Sequence, residues 1–239
     1  MYSPSGNKSE QRDRELGELL GIGLQMFQEN IGILLGGTAI LGILPLLPFI
    51  PAVGIVLFMA GGSMDKNLEN IDPAKIVPMV GAVGVASLIS LVIYIAAKVG
   101  FTAACLKITR GERPSFSEFT TNTGYFLNFF GVSLLLGLAV LVGTIFLIVP
   151  GIFLAVKLIF APFLVIDKNM GPMEALQESW ALTGGIFWKI FLAGLAYIII
   201  NAVVGAIPII GIVAGLATYP FFEVLLSSIY RSRTGTLAA

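Results

Sequence analysis

The stretch from Phe119 to Val156 contains no charged residue, although it is 38 residues long. As one straight helix, at about 1.5 Å per residue, it would extend about 57 Å, whereas the hydrocarbon core of a bilayer is about 30 Å thick. The chain must therefore reverse direction within this stretch. Pro150-Gly151 is the predicted turn, because proline lacks a backbone N–H and glycine tolerates turn conformations. A second uncharged run, Ile190 to Phe222, has the same kind of break at Pro208.

The composition agrees with a chain that lies in a membrane. Hydrophobic residues make up 56% of the sequence and charged residues only 12%, whereas a soluble domain has about 25% charged residues. The formal net charge is zero, so no nucleic-acid partner is expected. The one cysteine, Cys105, has no internal partner for a disulfide. No apolar run with a small-residue cleavage site stands at the N-terminus, so we expect the internal spans to drive insertion.

The hydropathy pattern predicts an all-α bundle of six transmembrane helices. Their approximate limits are residues 31–60, 76–106, 124–149, 151–166, 187–206 and 209–230. The first span contains Pro45, Pro48 and Pro51, so it is either one kinked helix or a helix followed by a shorter broken segment. The predicted organisation is a disordered tail over 1–12, one membrane domain over 13–231 and a short tail over 232–239.

Charged residues divide the connections between the spans into two sets. One set, together with the chain ends, contains ten cations, and the other contains two, Lys66 and Lys75. The ten are Lys8, Arg12, Arg14, Lys107, Arg110, Arg113, Lys168, Lys189, Arg231 and Arg233. Cytoplasmic connections of membrane proteins are enriched in Lys and Arg. The bias predicts a protein of the cytoplasmic (inner) membrane with both termini in the cytoplasm, which an even number of spans allows.

Three amphipathic segments precede spans on the predicted cytoplasmic side, at about residues 13–28, 115–121 and 172–183. We call them elbows. Their apolar faces are Leu16, Leu20, Leu24 and Phe27 in the first, Phe116 and Phe119 in the second, and Met173, Leu176 and Trp180 in the third. Such helices either lie in the headgroup layer or pack as short connections against the span ends. Elbow, span, tight turn and span form a unit that is used about three times.

Small residues four positions apart allow helices to approach closely. The pairs are Gly32 and Gly36, Ala96 and Gly100, Ala139 and Gly143, Gly151 and Ala155, and Gly211 and Gly215. They favour packing within one bundle, with a dimer face as the alternative.

Residues 150–191 carry a pattern that spans the end of one predicted hairpin and the third elbow. Its features are Pro150-Gly151, Lys157, Ala161-Pro162-Phe163, Asp167, Gly171-Pro172, Ala175-Leu176, Ser179-Trp180, Leu182-Thr183 and Gly185 to Trp188. The pattern resembles the membrane domain of bacterial glycerophosphoryl diester phosphodiesterases and related stand-alone multi-span proteins of unknown function. The resemblance implies a six-helix domain of the cytoplasmic membrane. It does not extend to the phosphodiesterase activity, because that catalysis uses histidines in a separate soluble barrel and this chain has no histidine.

Three charged residues, Lys98, Lys157 and Glu223, lie inside predicted spans. Each ion at membrane depth costs at least about 2.5–3.5 kcal/mol, so each needs a partner, a water-filled cavity or a route to the interface. Counting along the helices places all three at a similar depth, roughly 14–15 Å from the cytoplasmic ends. One interpretation is a polar site, with Tyr94 and Tyr219 nearby, that binds an anionic headgroup or lines a solute path. The other is that Glu223 neutralises one lysine while the second lysine extends to the interface.

The functional prediction is a non-catalytic membrane module that organises or interacts with membrane lipids or partner membrane proteins. The alternative is a small transporter or channel that uses Lys98, Lys157 and Glu223. We expect no enzyme, cofactor or metal site, because the sequence has no Cys/His cluster, no phosphate-binding glycine loop and no nucleophile–base pair. Whether a partner membrane protein or further copies of this chain bind the module stays open.

Overall fold

The computed structural model describes residues 16–59, 73–235 and 237, and all regular secondary structure within them is helical. We number the helices α1 (Leu16–Glu29), α2 (Ile31–Ile43), α3 (Phe49–Met59), α4 (Pro73–Ile108), α5 (Glu118–Thr121), α6 (Phe126–Phe146), α7 (Ile148–Lys157), α8 (Ala161–Lys168), α9 (Pro172–Leu182), α10 (Phe187–Gly205) and α11 (Pro208–Thr234). The structure does not describe residues 1–15, with Lys8, Arg12 and Arg14 of the predicted N-terminal tail and the start of the first elbow, residues 60–72 with Lys66, or residues 236, 238 and 239.

Five stretches are long and apolar enough to cross a membrane: Ile31–Met59, Ile76–Ile108, Phe126–Phe146, Ile148–Lys168 and Phe187–Gly205. They correspond to the first five predicted spans. The all-helical fold with several candidate membrane-spanning helices is therefore confirmed. The sixth predicted span falls on α11, which is 27 residues long, and its crossing stays a prediction, as does the threefold repeat.

The first span is a kinked segment. Helix α2 is followed by a 3₁₀ turn, Leu44–Leu46, and then by α3. The N–H of Leu47 donates to the carbonyl of Leu44 at 3.3 Å, and the N–H of Ile50 donates to that of Leu47 at 3.1 Å. These bonds span three residues, because the prolines remove donors from the regular ladder. Both α2 and α3 pack against α4, which favours the kinked helix over the broken one.

The first predicted reversal lies three residues earlier than expected. The chain turns at Leu147, which is extended with φ −162° and ψ 146°, and Pro150 lies in the first turn of α7. Proline fits there because the first N–H groups of a helix have no intrahelical acceptor. Gly151 lies outside the turn and allows α7 to approach α6 closely, since a Cβ on it would lie 2.9 Å from the backbone nitrogen of Thr144. This small residue packs α7 on α6 within one chain.

The second predicted reversal is confirmed at Pro208. Ile207 is extended, with φ −107° and ψ 107°, and Pro208 is the first residue of α11. A Cβ on Gly211 would lie 2.9 Å from the Cα of Gly205. Helices α10 and α11 therefore form a close antiparallel pair next to this turn.

Buried side chains concentrate at the end of the molecule that holds the elbows. In α4, Val99, Phe101 and Leu106 near the C-terminus are buried, whereas Val77 and Leu88 in the first half are exposed. The segment Ile148–Lys168 is the central one: 44% of its most apolar window is buried, against 11–17% in the other four spans. At the end of the molecule away from the elbows, the apolar side chains of the spans are exposed.

The elbows pack on span ends, but two of them bury only part of the predicted apolar face. Helix α9 packs on α8 and α6 and buries Ala175 and Ser179, while Met173 and Trp180 are 60% and 44% exposed. Leu176, the third residue of the predicted apolar face, packs against the core, so the prediction is wrong for Met173 and Trp180 and right for Leu176. Small side chains face the core because they permit close contact between the helices.

The first elbow shows the same departure. Helix α1 packs on α11 and buries Leu19, Gly23 and Phe27. Of the predicted stripe, Phe27 is buried and Leu16 packs against the core, whereas Leu20 and Leu24 are exposed. The second elbow contains only the short helix α5 and a 3₁₀ turn, Asn122–Tyr125. It sits against Gly100 of α4, where a Cβ would lie 2.5 Å from the Cα of Phe119.

Candidate functional site

Helices α4 and α11 bring three of the five predicted site residues together. The ammonium of Lys98 donates hydrogen bonds to a carboxylate oxygen of Glu223 and to the hydroxyl of Tyr219. Tyr219 and Glu223 are four residues apart on α11 and therefore share one helix face. The side chains of Lys98 and Glu223 are only 18% and 12% exposed. We call these three residues the Lys98 cluster.

Aromatic rings complete the surroundings of the Lys98 cluster. The Lys98 nitrogen lies 4.8 Å from the ring centre of Tyr219 and 5.9 Å from that of Phe101, and these two rings stack with their centres 5.6 Å apart. Ring faces attract cations, and the carboxylate neutralises the ammonium. The cluster is therefore a paired ion in an apolar setting.

Tyr94 lies beside the cluster rather than in it. It is 43% exposed, and with Lys98 it lines a cavity of about 380 Å³ between α4, α6 and the start of α8. Other lining residues are Phe130, Ser133 and Pro162. The cavity walls are mainly apolar, with the polar atoms of Tyr94, Lys98 and Ser133 among them.

Lys157 is not part of the Lys98 cluster. Its ammonium lies 5.2 Å from the ring centre of Trp180 and 5.9 Å from that of Phe153. No carboxylate in the described part of the chain lies within ion-pair distance of it. Counting residues gave the depth of Lys157 along its span but not the direction in which it points. The helix is interrupted immediately after Lys157, and this break was not anticipated.

The interruption of span four is capped by the third elbow. Residues 158–160 separate α7 from α8, and Pro162 follows in the first turn of α8. The carbonyl of Lys157 accepts hydrogen bonds from the hydroxyls of Ser179 at 3.0 Å and Thr183 at 3.3 Å. The N–H of Phe160 donates to the Ser179 hydroxyl at 3.1 Å. Backbone groups that the break would leave without partners are thereby satisfied.

A second ionic cluster, missed by the sequence analysis, joins the elbow-side ends of α4, α8 and α11. Asp167 Oδ1 accepts hydrogen bonds from Arg110 and, at 2.8 Å, from Arg231, and its Oδ2 accepts one from the Tyr230 hydroxyl at 2.7 Å. The Asp167 side chain is 7% exposed and that of Arg231 is 3% exposed. The available signal was that Asp167 is the one acidic residue between positions 119 and 173, next to several cationic span ends.

An ion pair also fixes the second elbow to α4. Lys107 donates to Glu118 at 2.6 Å, and the side-chain amide of Asn122 donates to the same carboxylate at 3.1 Å. These hydrogen bonds, the one from Lys107 above all, lower the pKa of Glu118 below its ordinary value, against the opposing effect of burial. The carboxylate is thus held ionised at the base of the elbow.

Within residues 16–59, 73–235 and 237, no three His, Cys, Asp or Glu side chains are grouped so as to hold a metal ion. Comparison of the chain with protein-family models, with characterised proteins and with solved structures finds no match. The resemblance of residues 150–191 to a phosphodiesterase membrane domain therefore stays a prediction from the residues themselves.

Proposed function

We propose that this protein is a non-catalytic, six-span module of the bacterial cytoplasmic membrane that interacts with lipids through its elbows, with both termini in the cytoplasm. The observation that carries the proposal is that large apolar side chains are exposed both on the spans, far from the elbows, and on the elbows themselves. The resemblance of residues 150–191 to the membrane domain of glycerophosphoryl diester phosphodiesterases supports the same reading.

The spans expose large apolar side chains far from the elbows. Phe58 is 85% exposed, Val77 76%, Ile145 74% and Val203 68%. Exposing such surface to water costs about 25 cal/mol per Å², and soluble monomers rarely carry extended apolar patches. Acyl chains solvate this surface without that cost.

The elbows expose apolar and aromatic side chains at the cation-rich end. Leu20, Leu24, Phe116, Met173 and Trp180 all point away from the buried core. A helix with apolar residues on its outer face and charged residues beside them fits the boundary between headgroups and acyl chains. Trp is enriched at that level, which supports lipid contact by α1, by Phe116 of the second elbow and by α9.

A small transporter is the second candidate, because the cavity of about 380 Å³ reaches the Lys98 cluster. The first candidate is favoured, since Lys98 is paired with Glu223 and Lys157 lies apart from both. A transport path would need the pair to open.

Proteoliposomes distinguish the two candidates. We expect vesicles containing the purified protein to show the same proton and potassium leak as empty vesicles, measured with a trapped pH dye, and the protein's melting temperature in detergent to rise when phospholipid is added. A leak well above that of empty vesicles, abolished in Lys98→Gln and retained in Lys168→Gln, would establish the transporter instead. A melting temperature that phospholipid leaves unchanged would count against lipid interaction.

A further inference from the structure

The ammonium of Lys157 lies beside the third elbow, and no carboxylate of the described residues is within ion-pair distance of it. It is half-buried and lies over the rings of Trp180 and Phe153. The two acids on the elbow do not reach it: Glu178 pairs with Lys168 at 3.3 Å, and Glu174 is exposed and beyond ion-pair distance. An ammonium at the boundary of the membrane is attracted by anionic lipid headgroups, so an anion from outside the chain is the expected partner of this one.

Trp180 indicates the depth of the ammonium. The ring is 44% exposed on an elbow whose inner face is buried, and indole rings collect at the headgroup level of a bilayer. The Lys157 nitrogen, 5.2 Å from that ring, is therefore at the level of the lipid phosphates.

A cleft adjoins this position. It is a shallow surface depression of about 430 Å³, open along most of its extent, and it is lined by Leu158, Leu176, Gln177 and Trp180. Its walls are apolar apart from the amide of Gln177 and the indole. The exposed side chains of Ile152 and Phe153 continue along α7 toward the bilayer interior, as a surface for an acyl chain.

We propose that Lys157, Gln177 and Trp180 bind the phosphate of an anionic phospholipid such as phosphatidylglycerol. The phosphate oxygens accept hydrogen bonds from the Lys157 ammonium and the Gln177 amide. A zwitterionic lipid fits less well, because its headgroup carries no net negative charge to pair with the Lys157 ammonium. This proposal rests on the membrane location in the proposed function and names the lipid class for one elbow.

The chain offers a direct optical probe, because it has two tryptophans, Trp180 and Trp188. A Trp188→Phe protein reports on Trp180 alone. It is reconstituted in vesicles in which either the phosphatidylglycerol or the phosphatidylcholine carries brominated acyl chains, and bromine quenches a contacting indole. We expect brominated phosphatidylglycerol to quench Trp180 at a mole fraction several-fold lower than brominated phosphatidylcholine.

Variants separate a site from general surface charge. In the Trp188→Phe protein, Lys157→Gln should lower the preference for phosphatidylglycerol about tenfold, because it removes a charge-assisted hydrogen bond to the phosphate, and Lys157→Arg should retain it. Lys168→Gln removes one positive charge from the end of α8, next to the same elbow, and should change the preference less than twofold. Equal losses in Lys157→Gln and Lys168→Gln would overturn the site.

The quenching measurement on the Trp188→Phe protein leaves Lys157 unchanged, so it tests the proposal even if a Lys157 variant fails to fold. Equal quenching of Trp180 by the two brominated lipids would overturn the site and leave the lipid-facing elbow intact. Quenching by neither lipid would place Trp180 outside the bilayer and would overturn the proposed membrane function together with the site.

Discussion

At the residue scale, the Lys98 cluster shows how a chain with few charges accommodates one in a span. The Glu223 carboxylate and the Tyr219 hydroxyl occupy two of the three donors of the ammonium, and aromatic faces surround it. Each charge is stabilised by the other, so removing one partner is expected to lower the free energy of unfolding far more than removing both.

The pair predicts a strongly non-additive mutant cycle. Lys98→Met and Glu223→Leu should each lower the free energy of unfolding by about 3 kcal/mol, because each leaves an unpaired charge in an apolar setting. The double variant should lose clearly less than the sum of the two. Unfolding in lipid–detergent micelles measures the cycle, and additive losses would show that the two side chains do not neutralise each other.

Ser179 is the residue on which the break in span four depends. Its hydroxyl serves both the Phe160 N–H and the Lys157 carbonyl. Ser179→Ala should therefore cost about 1–3 kcal/mol of unfolding free energy, since it leaves buried backbone groups unsatisfied. Ser87→Ala is the matched control, because Ser87 is exposed and bonds only to the carbonyl of Val83 in its own helix. Equal stability of the two variants would contradict the capping role.

At the element scale, glycines decide where elbows can sit. The second elbow reaches α4 at Gly100, where an added Cβ would lie 2.5 Å from the Cα of Phe119 and 2.8 Å from the carbonyl oxygen of Glu118. Both are backbone atoms, so the elbow itself would have to move.

Gly100→Ala should thus destabilise the protein by about 1–3 kcal/mol through overpacking. Gly81→Ala tests the same exchange in the same helix at a site with nothing within 4 Å of the added carbon. It should be neutral or stabilising by up to about 1 kcal/mol, because alanine favours the helix. Thermal unfolding compares the two, and a Gly100→Ala protein as stable as Gly81→Ala would show that the elbow does not rest there.

The second elbow should also respond to acid. The pKa of Glu118 is lowered in the folded protein, so its contribution to stability is fully present above the ordinary carboxyl pKa of about 4.3. It is lost as the pH falls through the lowered value. Amide hydrogen exchange in residues 115–125 should accelerate below about pH 4 in the wild type, and Glu118→Gln should be fast at neutral pH with little further change. Exchange that is independent of pH after correction for the intrinsic rate would rule this out.

At the scale of the whole molecule, the order and limits of five spans could be predicted because uncharged length and proline position are local properties. The pairing of Lys98 with Glu223 was also within reach, since both lie at one depth. The direction of Lys157 was not, because a three-residue break after it changes the helix course. The predicted faces of α1 and α9 were right for Leu16, Phe27 and Leu176 and wrong for the other residues, for a physical reason. In a soluble helix the large apolar face turns to the core, whereas at a bilayer surface Leu20, Leu24 and Trp180 can turn to lipid while Ala175 and Ser179 pack inside.

The central claim is that the elbow end of the molecule and the end with the turn before α11 lie on opposite sides of a bilayer. A Cys105→Ala protein is given one new cysteine, at Glu112 beside the elbows or at Ile207 in the turn before α11; both positions are exposed. A membrane-impermeant maleimide should label Ile207→Cys in intact bacterial cells and Glu112→Cys only in inside-out vesicles. Labelling of both cysteines from the same side would contradict the six-span arrangement with cytoplasmic elbows.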